Sequence, residues 1–484
     1  MIKSKIVAIL FLFSMFCHSF FSQNNFNDAW QNVSKSFTDW DSTRGQWLSE
    51  SLMAMYEGKT IPKRNFDEDF TPFEMIKRIP VAETEKINLA LDQKNQLTPA
   101  EERKWAEIKS LFRKLNCATV SGRSYGDPHI TTFDKANISF QTAGEFTLFR
   151  RDDGLVEVQC RQKPQNESFS LNTAVAINLS GDVIGLYAAD SPDNSTRLRV
   201  NGISYATGSS FILPHGGSIR NQGNSFVFVS PFGEVITAEI RNSGSFSFIN
   251  VNVQVFSCDA LKVGGILGNL NSDPDDDFVI NSRKPTVNYS QLFGNSLFAK
   301  MGMQAEKQYL SYLANQFSDK WRVTKSNSLF EYNPGKSTLT YTDRTFPRVH
   351  LTVNDLTPKQ QADARDKCEA MGVGNEDLRG CIFDNGFLGI DPNPRIPVPD
   401  FARGEVFPSK DISTIKNIIQ VPMLDKNLFK GALKGKNFFP KKINGSNMVK
   451  SLIPTNNGIP QTKINSQSVN PVKNINKVVP VKGK

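Results

Sequence analysis

Between Cys117 and Phe256 the chain breaks into short segments of alternating apolar and polar residues, each closed by a turn-forming cluster. That pattern narrows the fold more than any other feature. Glu145-Phe146-Thr147-Leu148-Phe149 and Leu155-Val156-Glu157-Val158-Gln159-Cys160 alternate as half-buried strands do. Ser139–Gln141, Thr173–Ile177, Val183–Tyr187, Arg197–Val200, Ser225–Val229, Glu234–Ile240 and Phe246–Phe256 continue the series. Asp152-Asp153-Gly154, Ser180-Gly181-Asp182 and Asn201-Gly202 supply turns. A period of two cannot present one apolar face on a helix, so the region is predicted to be mainly β, an antiparallel β-sandwich or open barrel-like sheet.

The flanks read differently. The start, Met1-Ile2-Lys3-Ser4-Lys5 followed by an apolar run from Ile6 to Phe16, has the order of an export signal and is too short to span a bilayer. Residues 1–22 are therefore expected to be a signal peptide; Ser14-Met15-Phe16 before Cys17 makes a poor lipid-attachment site. Residues 23–116 are helical in character. Thr98-Pro99-Ala100-Glu101 forms a capping box with proline at the first helical position, and Trp105, Ile108, Phe112 and Leu115 follow on one face. Trp30, Trp40 and Trp47 fit a small helical core better than a binding stripe. No later segment reaches the apolar length of a membrane span.

Beyond residue 325 an extension to residue 391 carries a second capping box, Thr357-Pro358-Lys359-Gln360, starting a short helix that reaches Cys368, with Cys381 after a glycine-rich turn. These two cysteines are expected to bond, since they close a small loop in an exported protein. From residue 392 onward Pro, Asn, Lys and Gly dominate. Residues 401–484 hold 15 Lys or Arg against 3 acids, so the net charge of +9 belongs to this tail. A basic tail can touch an anionic surface; a solvated extension is the plainer reading, and nothing indicates specific nucleic-acid binding. Zinc is not expected, because the chain has no Cys-x-x-Cys pair and only 4 scattered histidines.

Two segments carry chemistry. In Gly268-Asn269-Leu270-Asn271-Ser272-Asp273-Pro274-Asp275-Asp276-Asp277, Asn269, Asn271, Asp273 and Asp277 place oxygen donors at alternate positions. Calcium takes six to eight oxygens at about 2.4 Å, and such a loop can supply several of them. The loop lacks the glycine and terminal glutamate of an EF-hand, and an exposed acidic turn is the competing reading. The second segment is Gly126-Asp127-Pro128-His129. An Asp-Pro bond is labile because the carboxyl can attack its own carbonyl and proline nitrogen leaves comparatively well; His129 could give that nitrogen a proton. A pre-proline turn opening the first strand is the structural alternative.

The segment Tyr125-Gly126-Asp127-Pro128-His129-Ile130-Thr131-Thr132-Phe133-Asp134, the stretch from Gly264 to Phe278 and the strands between them resemble a von Willebrand factor type D module. The resemblance covers about residues 117–325. It implies an extracellular structural or adhesive protein with protein or polysaccharide ligands, and a Ca2+ site formed by Asp134, Asn269, Asn271, Asp276 and Asp277. Some relatives with the Gly-Asp-Pro-His tetrapeptide cleave themselves there, which makes Asp127–Pro128 scission an alternative role. Animal modules usually carry a cysteine where this chain has Leu267, and often another where it has Phe146. In this it is more similar to cysteine-poor microbial forms. Cys117 must then find another partner, with Cys258 preferred and Cys160 the alternative. No Gly-x-Ser-x-Gly or His-Glu-x-x-His motif occurs, so an exported hydrolase is the weaker reading and no enzyme activity is expected beyond self-cleavage.

Overall fold

The computed structural model describes residues 26–392, apart from 94–96, 194–195, 207, 209, 281–284, 295 and 297. The expected export signal and the basic tail lie outside the described residues. Five helices come first: α1 (residues 26–40), α2 (Ser42–Tyr56), α3 (Pro72–Ile76), α4 (Val81–Leu91) and α5 (Pro99–Lys114). The Thr98 box forms as the sequence predicts, with Pro99 at the first turn. Trp105, Ile108, Leu111 and Phe112 are buried, and Trp105 Nε1 donates to the Leu91 carbonyl at 2.9 Å. Trp30 and Trp47 are buried in the same core, with Trp40 packed partly against it.

Among the described residues fifteen strands follow and form two antiparallel sheets. One has the order β10 (Phe211–Ile212), β11 (Ser218–Gln222), β12 (Ser225–Val229), β13 (Val235–Ser243), β14 (Phe246–Phe256), β1 (Thr119–Tyr125), β2 (His129–Thr131) and β3 (Asn137–Ser139). The other runs β15 (Val263–Gly264), β4 (Gly144–Arg151), β5 (Val156–Pro164), β6 (Ser170–Leu179), β7 (Asp182–Tyr187), β8 (Leu198–Val200) and β9 (Ile203–Tyr205). Asn201 and Gly202 both have positive φ, 50° and 81°, which is the geometry a tight hairpin needs between β8 and β9. The inward residues of both sheets, among them Ile130, Phe133, Phe146, Leu148, Val158, Val175, Ile177, Ile249 and Val253, share one apolar core.

The helical preface is bolted to the sandwich electrostatically as well as by packing. Lys114, 2% exposed, reaches Glu234 Oε1 at 2.7 Å and Asp259 Oδ2 at 3.1 Å, and Arg151 meets the same Glu234 oxygen at 3.2 Å. Removing one partner of such a buried pair costs about 3–5 kcal/mol, because the other charge is stranded. Glu74 on α3 grips Arg220 of β11 through both carboxylate oxygens, and Phe73 packs edge-on against Phe256.

Past β15 come α6 (Tyr289–Leu292), α7 (Met303–Tyr312), α8 (Ser318–Trp321), α9 (Thr338–Tyr341), α10 (Pro358–Ala370) and α11 (Asn375–Phe387). Cys117 is bonded to Cys258, and Cys368 to Cys381. The cysteine after the glycine-rich turn sits inside α11 rather than in a loop, so the second bond joins two helices. Helix α11 does not hang off the module. Asp377 pairs with Arg123 of β1 at 2.5 Å, and the Glu376 carbonyl accepts from Asn137 of β3 at 2.5 Å. Among the described residues no helix is long and apolar enough to cross a membrane.

Candidate functional site

The acidic loop is hung between the two sheets by its backbone. Leu267 donates its N–H to the Leu148 carbonyl of β4 at 3.0 Å and accepts at its own carbonyl from Phe133, just past β2, at 2.9 Å. Asp134, one residue further on, is thereby delivered to the loop. Its Oδ1 accepts from the Ser272 N–H at 2.7 Å and its Oδ2 from the Asn271 N–H at 3.1 Å. Asp276 takes the side-chain amides of Asn269 and Asn271 at 3.1 and 2.7 Å. Asp273 and Asp275 act on the backbone instead, accepting from the N–H groups of Asp275 and Ser290.

Asp277 is the odd member. It is 5% exposed, and neither of its carboxylate oxygens has a hydrogen-bond partner. Gly268, with φ of 89°, makes its position possible, since a β-carbon there would collide with the Asp277 carboxylate. Burial pushes the Asp277 pKa up to about 8 and the Asp134 charge adds to the rise, against a partial lowering by the nearby Thr132 hydroxyl and Asn269 N–H, neither of which reaches full hydrogen-bond geometry. A buried carboxylate without donors is costly unless a cation joins it. Asp134 beside it and the side chains of Asn269, Asn271 and Asp276 around the same loop are hard oxygen donors of the kind calcium takes, although in this structure their oxygens accept hydrogen bonds within the loop.

The Gly-Asp-Pro-His segment forms the turn from β1 to β2, with Tyr125 and His129 paired across it. Gly126 has φ of 62° and donates its N–H to Asn250 Oδ1 at 3.0 Å. Asp127 and His129 are buried, with His129 Nε2 lying 2.7 Å from Asp127 Oδ1. The same nitrogen lies 2.8 Å from Oδ1 of Asp384 on α11. His129 Nδ1 is 3.1 Å from the Ser139 hydroxyl. Gln141 Nε2 donates to the Asp127 backbone carbonyl, the carbonyl of the Asp127–Pro128 bond, at 2.5 Å. Although burial works against it, the charges of Asp384 and Asp127 raise the His129 pKa to about 10. Burial first, and then the Asp384 charge, hold the Asp127 carboxyl well above the usual carboxylate range.

The structure thus gathers Asp134, Asn269, Asn271, Asp276 and Asp277 at one place, and Asp127, Pro128 and His129 at another. Sequence reasoning did not find Asp384 or Gln141. Asp384 lies 255 residues from His129, in a helix with no legible period, and nothing local marks it.

Comparison with known proteins agrees with this architecture. The family model of the von Willebrand factor type D domain matches residues 122–284, which run from β1 through the acidic loop. Human Sushi domain-containing protein 2 is 25% identical over 262 residues, covering 51% of this chain and 29% of that protein. The chain therefore spans less than a third of that relative's length.

Proposed function

We propose that this chain, built on the type D module at residues 122–284, is an exported structural or adhesive protein whose sandwich is stapled by calcium. The module and the human relative speak for an extracellular or cell-surface adhesion-type role; calcium and the ligand class go beyond them. The observation that carries the calcium reading is Asp277, buried with both oxygens unpartnered beside Asp134. Asp134 and Asp277 would hold the ion with Asn269, Asn271 and Asp276. The bound ion would supply positive charge and no reaction. Asp134 lies three residues past β2 and Asp277 in the loop after β15, so the ion would tie the segment leaving one sheet to the loop leaving the other. The partner we propose is an extracellular protein or polysaccharide, and the positive charge of residues 401–484 suits contact with an anionic surface.

Titration calorimetry of the full chain with CaCl2 tests the metal. Saturable heat that disappears in Asp277→Ala, and is much weaker with magnesium, supports the site; no heat from the intact chain rejects it.

A second reading has its own observation. Gln141 holds the Asp127 carbonyl while His129 touches the Asp127 carboxyl, which puts a donor on the carbonyl that self-cleavage of Asp127–Pro128 attacks and an ionisable base beside the attacking carboxyl. Two fragments on a reducing gel, the second beginning at Pro128, would support it; an intact chain of full mass would count against it.

A further inference from the structure

Three titratable groups converge on one buried point. Asp127 and His129 flank Pro128 in the β1–β2 turn, and Asp384 comes from α11. None of the three side chains is more than 1% exposed. The imidazole Nε2 carries one hydrogen, yet it lies 2.7 Å from Asp127 Oδ1 and 2.8 Å from Asp384 Oδ1. These are hydrogen-bond lengths. Donor atoms each held at about 2.1 Å from a tetrahedral metal would stand roughly 3.4 Å apart, so the cluster is built to share protons rather than to chelate.

In a dry site one imidazolium balances one carboxylate, and the second carboxyl is kept as the acid. Asp127 Oδ2 and Asp384 Oδ2 have no other hydrogen-bond partner, and a single proton held between the two carboxyls would satisfy them. The remaining ionisable groups nearby are Tyr125, kept neutral by burial, and Arg123, which is paired with Asp377.

Where that proton sits decides whether the turn can react. In scission an ionised Asp127 oxygen adds to its own carbonyl carbon, whose oxygen Gln141 contacts. The C–N bond to Pro128 then breaks as the imidazolium proton passes to the proline nitrogen. A cyclic anhydride at Asp127, a free amine at Pro128 and a neutral imidazole result, and water opens the anhydride to two carboxyls.

Resting on the self-cleavage reading, we propose that the disulfide-joined α10–α11 hairpin is a latch on the Asp127–Pro128 bond, with Asp384 as its positioning residue. Asp384 takes the imidazolium of His129 as its own counter-ion and so keeps Asp127 as the acid, a poor nucleophile. The hairpin is seated for this. Cys368–Cys381 ties its two helices, and Asp377 holds Arg123. Gly380 lets α11 close on the turn, where a β-carbon would stand 2.7 Å from the Tyr125 hydroxyl and 2.8 Å from His129 Cγ. At Gly126 any side chain would run into the Asp384 carboxylate.

The test uses the full chain as wild type, Asp384→Asn, Asp127→Asn and the double variant Cys368→Ser/Cys381→Ser. Fragments are followed on reducing gels at neutral pH and identified by mass. Asp384→Asn should cleave at least about tenfold faster than wild type, the cysteine variant should move in the same direction, and Asp127→Asn should stay intact. Difference infrared spectra should show a protonated carboxyl in the wild type that both Asp127→Asn and Asp384→Asn lose, a signature that mere loosening of the helix would not produce. Equal or slower cleavage in Asp384→Asn overturns the latch and leaves self-cleavage standing. No cleavage in any folded variant rejects self-cleavage and the latch together. If Asp384→Asn does not fold, the cysteine variant and the wild-type band against Asp127→Asn decide.

Discussion

Strand β2 is flanked by two pairs of facing carboxyls gathered from distant segments, and only one pair brings its own cation. On one side Asp127 and Asp384 close on His129, so the charge is balanced by the chain itself. On the other, Asp134 and Asp277 face each other and no described cation offsets them. The two sites therefore meet the same physical problem in opposite ways. A buried carboxylate must be neutralised, hydrogen-bonded or joined by a positive charge. Where the chain supplies that charge the site is complete on folding. Where it does not, the carboxyl is either kept protonated or joined by a cation from solution, and under the calcium proposal stability then depends on what the solution contains.

The largest effect that would break this contrast is at the balanced site. His129→Ala strands two carboxyls in the core, and urea unfolding should show a loss of about 3–5 kcal/mol whether or not calcium is present. Equal calcium dependence of this variant and of Asp277→Ala would erase the distinction between the sites. Next comes Asp277→Asn, which should act with opposite sign in two solutions. With calcium at a thousand times its dissociation constant it should forfeit about 4 kcal/mol. In chelator near neutral pH it should be neutral or stabilising by roughly 1 kcal/mol, because the cost of keeping a buried carboxyl protonated is gone.

The Lys114–Glu234–Arg151 network is a second internally balanced site and sharpens the comparison through pH. The charges of Lys114 and Arg151, working against burial, hold the Glu234 pKa down, from 4.5 to about 2. Because the folded value is the lower one, this stabilisation is complete above the unfolded pKa and is lost as pH falls from about 4.5 towards 2. It amounts to roughly 3 kcal/mol, and a stability profile of Lys114→Met should lack that acid-side step. The smallest effect belongs to the preface, far from either site. Thr98→Ala removes the cap of α5 and should cost about 1 kcal/mol, measured as a small fall in urea midpoint with no calcium dependence.

Which parts of this could be read from the sequence follows from how local each signal is. Strand β14 was legible to its ends, Phe246–Phe256, because its inward residues recur at every second position. Strand β1 was not, although it lies inside its sheet between β14 and β2. Its sequence, Thr-Val-Ser-Gly-Arg-Ser-Tyr, carries few apolar residues, and its partners and not its side chains make it a strand. Helix α11 was hidden for a related reason. Gly380 and Gly386 interrupt any helical period, and each is there because another side chain, from His129 or Leu356, occupies the space a β-carbon would need. The acidic loop was readable because four of its five donors lie within nine residues; Asp134 joined them through the family resemblance. The partner of His129 had no such help, since only the folded chain brings Asp384 to it.

The claim that most needs testing is that the type D module takes its missing positive charge from calcium. Thermal unfolding of the full chain in calcium and in chelator, beside Asp277→Ala, addresses it directly. If calcium supplies that charge, the midpoint rises clearly with calcium for the wild type and not for the variant. Equal wild-type midpoints in both solutions would contradict it, and the loop would then be an acidic turn that tolerates a buried carboxyl without a cation.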